Sequence, residues 1–386
     1  MKRIIAPIII VLTLIGCQND SIIGPQTRAN SPDRAGSPAL DVMTWNVYVG
    51  AHVQDLLLIS DPNLIPFEVA RLFGDIQATN FAERADAIAA QIAAARPHVV
   101  GLNEVSLIRV QSPGDFLAGN PVQATTPVID FLDILEQALV AHGASYVVAA
   151  TVSNFDVEAP MVNFTTGGLD DVRLTDMDVI LVRSDIEYSN AQAANFGAIL
   201  PIAVGGQPLD KPSGWLSVDL TVKGLPYTIL DAHLEAADIA PGVVDPTLAG
   251  LQAAQASELL GLADASPHPV ILMGDLNSAA DGSSTTTYQD ILDAGFVDAW
   301  TVGKPRADGF TSGQDPDLRN PVSKLRHRID FIFYRDDRTI EGGSFRGSVH
   351  IERVGEEQAD RTTTGMWPSD HAGVLGALRM APGVGN

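Results

Sequence analysis

The sequence predicts an α/β (α+β) fold built on mixed β-sheets, and three observations carry that expectation. Short apolar, β-rich runs alternate with stretches whose apolar residues recur at helical spacing. Several of those runs follow one another with few helices between, which calls for hairpins beside crossovers and so for mixed rather than purely parallel sheets. With 386 residues, 46% of them hydrophobic, the chain can bury a sizeable core in one large domain or two ordinary ones.

The elements follow in order. Lys2 and Arg3 precede an apolar stretch over residues 4–15, interrupted only by Pro7 and Thr13. It is shorter than the roughly 20 residues a membrane-spanning helix needs, and reads as the core of a secretory signal. Residues 18–40 are rich in Ser, Pro, Asn, Asp and Gly and read as a tether. A single domain is then expected over 41–382, opening with a strand at 42–47. Ala85, Ile88, Ala89, Ile92 and Ala95 recur at helical spacing, with Glu83 near the start and Arg96 at the end. They predict a helix over 81–96, stopped by Pro97. A buried strand at 98–102 follows, then a helix at 128–141 and a strand at 146–151. Strands are expected at 178–183, 215–222, 227–231 and 270–273, with a helix at 248–263 before the last of these. Residues 328–334 and 372–378 close the series, and no repeat of fixed period runs through it.

Composition removes several function classes. Lys and Arg total 24 against 47 for Asp and Glu, a formal charge of −23. So acidic a chain lacks the basic footprint of a generic nucleic-acid coating protein, although an enzyme that meets phosphate through a bound cation stays open. The single Cys excludes a disulfide scaffold and a thiolate zinc ribbon. There is no Gly-x-Ser-x-Gly elbow, no Walker phosphate loop and no H-E-x-x-H pair. Serine hydrolases, P-loop NTPases and zincins therefore fall away, and a paired-carboxylate glycosidase has acids enough but no motif.

The chemistry gathers at strand ends. Thr44-Trp45-Asn46, Asn103-Glu104, Asp231-Ala232-His233, Gly274-Asp275-Leu276-Asn277 and Ser369-Asp370-His371 each join an apolar strand to polar side chains. Arg328-Ile329-Asp330-Phe331-Ile332 places an Asp within a buried strand, where an ionised carboxylate demands a partner. In this order the six islands resemble the endonuclease/exonuclease/phosphatase superfamily, the DNase-I-like fold, over nearly all of the chain after the tether. Gly309 to Gln314 and Asp317 to Asn320 resemble a bacterial subgroup of it. Leu14-Ile15-Gly16-Cys17 resembles the lipobox of bacterial lipoproteins.

The first resemblance implies a four-layer sandwich of two packed mixed sheets flanked by helices. It also implies a divalent-metal-dependent phosphoric ester hydrolase in which water attacks phosphorus in line. Mg²⁺ is the expected ion, with Mn²⁺ or Ca²⁺ as alternatives, because such sites use few carboxylates plus water and phosphate oxygens. Glu104 would bind it, and Asn46 and Asp370 would join or orient its shell. His371 would sit at the reacting phosphorus and give a hydrogen bond to Asp330, while His233 and Asn277 would donate to phosphate oxygens. Asp275 would hold the attacking water or a second cation; either His371 or Asp275 takes its proton, with His371 placed first. The substrate is a phosphate ester of nucleic acid, a phospholipid headgroup (as for sphingomyelinases), an inositol phosphate or another small organophosphate. A non-catalytic binding module of the same fold is the remaining reading.

The lipobox implies cleavage before Cys17, lipidation of that residue and a membrane-anchored enzyme in the cell envelope; a monomer is expected. Gln18 after it favours the outer membrane of a Gram-negative cell. Elsewhere Glu83 and Arg84 read either as helix-surface charges or as positioning residues. Asp176 and Asp178 precede a strand from which relatives reach substrate. Lys324, Arg326, His327 and Arg328 either meet phosphate or form a solvated loop, and His52, His98, His142, His268 and His350 read as ordinary.

Overall fold

The computed structural model describes residues 39–119, 123–204, 207–240, 243–335 and 348–379. The expected signal segment, Cys17, the tether up to residue 38 and the last residues of the expected domain lie outside the described residues. Ala39 and Leu40, placed in the tether by sequence, instead open the first strand, Ala39–Asn46, where Leu40 is fully buried and pairs with Leu378.

An eight-stranded and a six-stranded sheet, both mixed, pack face to face. In the first sheet the strand Ala39–Asn46 lies parallel to Val99–Asn103 and antiparallel to Gly373–Arg379. In the second, Leu225–His233 lies parallel to Val270–Asp275, which is antiparallel to Asp330–Arg335. Each parallel pair is joined through helix: Ile65–Ala78 and Phe81–Ala95 in the first sheet, Pro246–Ala265 in the second. Leu40, Val42, Val99, Ile180 and Val182 meet Val218, Ile229, Ile271, Met273 and Ile332 between the sheets. The outer face of the first sheet, Met43, Trp45, Val100 and Leu102, is covered by Ala85, Ile88, Ile92 and Leu135 of helices. Leu230, Leu272, Phe331 and Phe333 on the far side are covered by Ala256, Leu259 and Ile291. Helix, sheet, sheet and helix make the four layers. Among the described residues no helix is long and apolar enough to cross a membrane.

Three expectations shift. The helix expected at 128–141 begins at Phe131, because Asp130 caps it by accepting from the Asp133 N–H at 3.1 Å, while Thr126–Asp130 pairs as a strand. The strands expected at 146–151 and 178–183 are the inner parts of a long hairpin, Tyr146–Val162 with Leu169–Arg183. The helix Ile65–Ala78 was not expected, although Ile65, Val69, Leu72 and Ile76 form a helical stripe; Pro66 and Gly74 mask it.

The alternation of side chains along a strand places the polar residues. Leu40 and Val42 face the other sheet, so Asn46 does too; the same parity carries Val99 to Asn103 and Ile180 to Asp178. Ile229 leads to Asp231 and His233, Met273 to Asp275, and Ile332 back to Asp330. The space between the sheets is apolar along most of its length and turns polar at one end.

Candidate active site

Backbone register brings the strand ends together. Asn46 is paired with Asn103, His233 with Asp275, and Asp275 with Asp330. Side chains complete the bridge between sheets: Asn103 gives its amide to Asp231 Oδ2 (3.2 Å) and accepts from the Asp275 N–H (3.1 Å). Asn46 Nδ2 donates to Glu104 Oε1 (2.9 Å) and Asp275 Oδ2 (3.1 Å), while its Oδ1 accepts from the Tyr48 N–H (2.9 Å). Asn46 therefore orients two carboxylates. With its Oδ1 turned to the Tyr48 N–H, it would orient rather than join the shell expected around Glu104.

Glu104 follows its strand in a left-handed conformation, φ 60°, which turns the carboxylate out of the sheet and into the polar end. Its Oε2 accepts from the Val49 N–H at 2.9 Å. Burial pushes its pKa up, but His233, the Asn46 amide and the Val49 N–H outweigh that and hold it below the usual range. Asp370 differs: burial, reinforced by Glu104 and Asp275 and opposed by His371, pushes it up to about 7. Burial and Asp330 likewise raise Asp275 to about 6, against His371 and His233. Oxygens of Glu104 and Asp370 are hard donors, and this crowding of buried acids is what a divalent cation relieves, so the residues present fit one.

His371 Nδ1 lies 2.9 Å from Asp330 Oδ2 and 3.8 Å from Asp275 Oδ2. Burial alone would lower its pKa; Asp330, Asp370 and Asp275 outweigh it and hold the imidazole well above its usual value. Asp275, Asp330 and His371 offer ligand atoms within 4.8 Å of one another. The short Nδ1–Asp330 contact makes that trio a proton-holding group rather than a cation cage. His233 sits between Asp178 (Nδ1 to Oδ1, 4.0 Å) and Asp275 (Nε2 to Oδ2, 3.8 Å). Burial opposes its charge, yet Asp275, Asp178 and Glu104 raise it to about 9. Asn277, at φ 47°, gives its N–H to Asp275 Oδ1 (3.0 Å) and its amide to Leu234 O (2.9 Å).

A supporting layer carries residues that had no role, or an open one, on sequence grounds. Arg84 is fully buried in helix Phe81–Ala95. It donates to Thr79 O (2.9 Å), Val47 O (2.6 Å), Tyr48 O (3.0 Å) and Pro368 O (3.0 Å), tying the segment after Asn46 to the one before Ser369. Thr311 Oγ1 accepts from the Ile329 and Asp330 N–H groups, both at 3.2 Å. Ser369 Oγ donates to Asn46 O (2.7 Å) and accepts from the His371 N–H (3.1 Å). Asp178 is fully buried and held by Asn154 Nδ2 at 2.8 Å, where it backs His233. A Cβ on Gly101 would collide with the Asp231 carboxylate, so glycine is required for that close approach.

The basic run does not act as one group. Arg328 is buried against Asp298 (2.6 Å) and over Tyr288 and Phe331, and Lys324 pairs with Asp315 at 2.6 Å. Arg326 and His327 remain beside Ser312, whose backbone pairs with His371. Of the other histidines, His142 pairs with Asp86 at 2.8 Å and His98 accepts from the Asp41 N–H at 2.9 Å, both far from the site in the fold.

A family model described as the endonuclease/exonuclease/phosphatase family matches residues 43–371. Comparison with curated protein sequences gave no match. Among solved structures, D. rerio TDP2 humanized by 14 mutations is similar at 16% identity and TM-score 0.52, covering 88% of this chain and 98% of that one. D. rerio TDP2 complexed with single-strand DNA product gives 17%, 0.52, 88% and 98%. An endonuclease/exonuclease/phosphatase family protein from Leptotrichia buccalis C-1013-b gives 15%, 0.50, 87% and 98%. At these identities the structural likeness is one of fold. The span of the family match takes in every strand end described above, from Asn46 to His371, and this chain belongs to the endonuclease/exonuclease/phosphatase family.

Proposed function

We propose that this protein is a divalent-cation-dependent phosphoester hydrolase in which water attacks phosphorus in line, acting in the cell envelope from a lipid anchor at Cys17. The observation that carries the hydrolase reading is the convergence of Glu104, His233, Asp275, Asp330, Asp370 and His371 at one polar end of an otherwise apolar inter-sheet space. Glu104 and Asp370 would hold the cation, which when bound supplies positive charge to offset that of the phosphate and the departing oxygen.

The chain's own residues do the rest. His233, charged at neutral pH between Asp178 and Asp275, donates to a non-bridging phosphate oxygen, where negative charge builds in the transition state. Asn277 is held by Leu234 and Asp275, which leaves its second amide hydrogen for a neighbouring oxygen. Asp330 takes the Nδ1 hydrogen of His371, so Nε2, 4.0 Å from Asp370 Oδ1, is the nitrogen free to meet substrate. Three surrounding carboxylates favour its imidazolium and cast His371 as the proton donor. Asp275, ionised above about pH 6, is then the acceptor of the water proton, which reverses the order expected from sequence.

The test is hydrolysis of bis(p-nitrophenyl) phosphate and p-nitrophenyl phosphate by the full chain. EDTA is expected to abolish turnover and Mg²⁺ or Mn²⁺ to restore it. Glu104→Gln should raise the cation concentration needed for half-maximal rate by at least tenfold. Turnover that persists unchanged in EDTA would remove the cation from the reading.

A further inference from the structure

We infer that the cavity beside Asn277 receives the non-reacting part of the substrate, and that it takes a single polyhydroxylated ring: the substrate class is a phosphorylated sugar or cyclic polyol. The inference rests on the hydrolase reading above and adds the substrate to it. The cavity has a volume of about 250 Å³, below the roughly 300–1,000 Å³ of pockets that take drug-sized ligands. It therefore suits one ring rather than a chain of residues. Asn277 lines it and is also bonded to Asp275, so the cavity begins where the reacting centre ends.

Its chemistry is that of hydroxyl recognition. Asp238, Ser283, Ser284 and His327 join Asn277 around it, and only Ala279 and Ile329 are apolar. Among the described residues no Phe, Tyr or Trp lines it, so a nucleobase would find only the His327 ring to stack on. An acyl chain would leave the carboxyl and hydroxyl groups unpaired. Ring hydroxyls both donate and accept, and so match a carboxylate acceptor beside serine and amide groups that do either.

The walls are built before any ligand arrives. Gln252, fully buried, donates to Asn277 O (3.0 Å) and accepts from Thr285 Oγ1 (2.5 Å) and Thr287 Oγ1 (2.8 Å). Ser284 Oγ accepts from the Ala279 N–H at 2.7 Å, and the Ala280 N–H is fixed on Arg328 O at 3.1 Å. On the facing wall the His327 backbone is pinned to Thr311 and Ser312, and Arg326 Nε donates to His327 Nε2 at 3.3 Å, which leaves Nδ1 for a ligand. Such a preformed wall spares the ordering cost that weakens loop-built sites.

The experiment compares kcat/KM of the full chain with Mg²⁺ on four esters. These are a hexose phosphate, an inositol phosphate, p-nitrophenyl phosphate and thymidine 5′-(p-nitrophenyl phosphate). One of the first two is expected to lead p-nitrophenyl phosphate by tenfold or more. Asp238→Ala, an exposed position, should raise KM for the favoured polyol at least tenfold and leave p-nitrophenyl phosphate within twofold; His327→Gln should act in the same direction. Preference for the thymidine ester, or an equal response of both substrates to Asp238→Ala, overturns the inference and leaves the hydrolase reading standing. Failure on all four esters with either Mg²⁺ or Mn²⁺ sinks the two together.

Discussion

Arg84 offers a severe test of how the site is held. Its guanidinium is fully buried, yet all four of its hydrogen bonds go to backbone carbonyls and none to a carboxylate. Burial lowers its pKa to about 10, opposed by Asp370, so it remains charged at neutral pH. In Arg84→Met the side chain keeps its apolar length, and four carbonyls lose their donor. At about 1 kcal/mol net per hydrogen bond, the loss is about 4 kcal/mol, reduced to about 2–4 kcal/mol because no charge need then be buried. Unfolding entropy of about 2.1 cal/mol/K per residue over a domain of this size converts 3 kcal/mol into a Tm lowered by about 4 °C. Stability alone would not identify a positioning role. Pro368 O directly precedes Ser369-Asp370-His371, so its release frees the segment carrying the proposed proton donor and a proposed cation ligand. We expect kcat to fall at least tenfold at 20 °C, well below the transition, with the fold intact by circular dichroism. Arg84→Lys, which keeps the charge but not the planar fork, should recover stability more than kcat. A variant with kcat unchanged and Tm lowered would show that Arg84 only supports the fold; unchanged values of both would refute the reasoning outright.

Other outcomes follow from the same geometry. Asp330→Asn removes the negative charge that faces His371 Nδ1 at 2.9 Å and is expected to lower kcat by about 10²–10⁴ with KM little changed, as read by steady-state kinetics. His98 is buried, its pKa is lowered first by burial against Asp41, and its Nδ1 accepts from the Asp41 N–H. The folded value thus lies below that of the unfolded chain, about 6.5. The stability it contributes is complete above that pH and is lost as pH falls below it. His98→Asn keeps an acceptor without titrating, so its Tm should drop less than wild type between pH 7.5 and pH 5. Cys17→Ser is expected to move the protein from the membrane to the soluble fraction of an expressing bacterium, since one lipidated residue carries the whole anchor in this reading.

Much of the candidate site was legible because polar groups at strand ends leave a local mark. Gly-Asp-Leu-Asn after Val270–Met273, or Ser-Asp-His before Ala372, stands out against an apolar strand. The four layers were implied by family resemblance rather than by periodicity. What sequence did not show is long-range. Arg84 lies on an amphipathic helix, where a charge reads as a solvent-facing residue, and its partner Pro368 is 284 residues away. Asn103 and Gly101 matter because the second sheet approaches there, and no local pattern records that approach. The long hairpin was read only in part because Ser153, Asn154, Asp156, Glu158 and Pro160 resemble a loop. In the fold, Asn154 and Glu158 are among its buried residues.

The placement of the chemistry follows from one topological fact. Each sheet contains a parallel pair, and a parallel pair delivers two strand C-termini to the same edge: Asn46 with Asn103, and His233 with Asp275. The antiparallel neighbours start at that edge, at Asp330 and just after His371. Side-chain parity then turns these residues into the inter-sheet space, as ligand sites gather outside the carboxyl ends of strands in open α/β sheets. The groups proposed to break the ester are fixed by strand register, which tolerates no one-residue slip without sending them to the helix-covered face. The groups proposed to choose the ester, Asp238, Ser283 and His327, lie outside the two large sheets and are exposed. Substitution there should alter substrate preference at little cost in stability, whereas Asn46, Asn103 and Asp275 cannot change without disturbing both sheets at once.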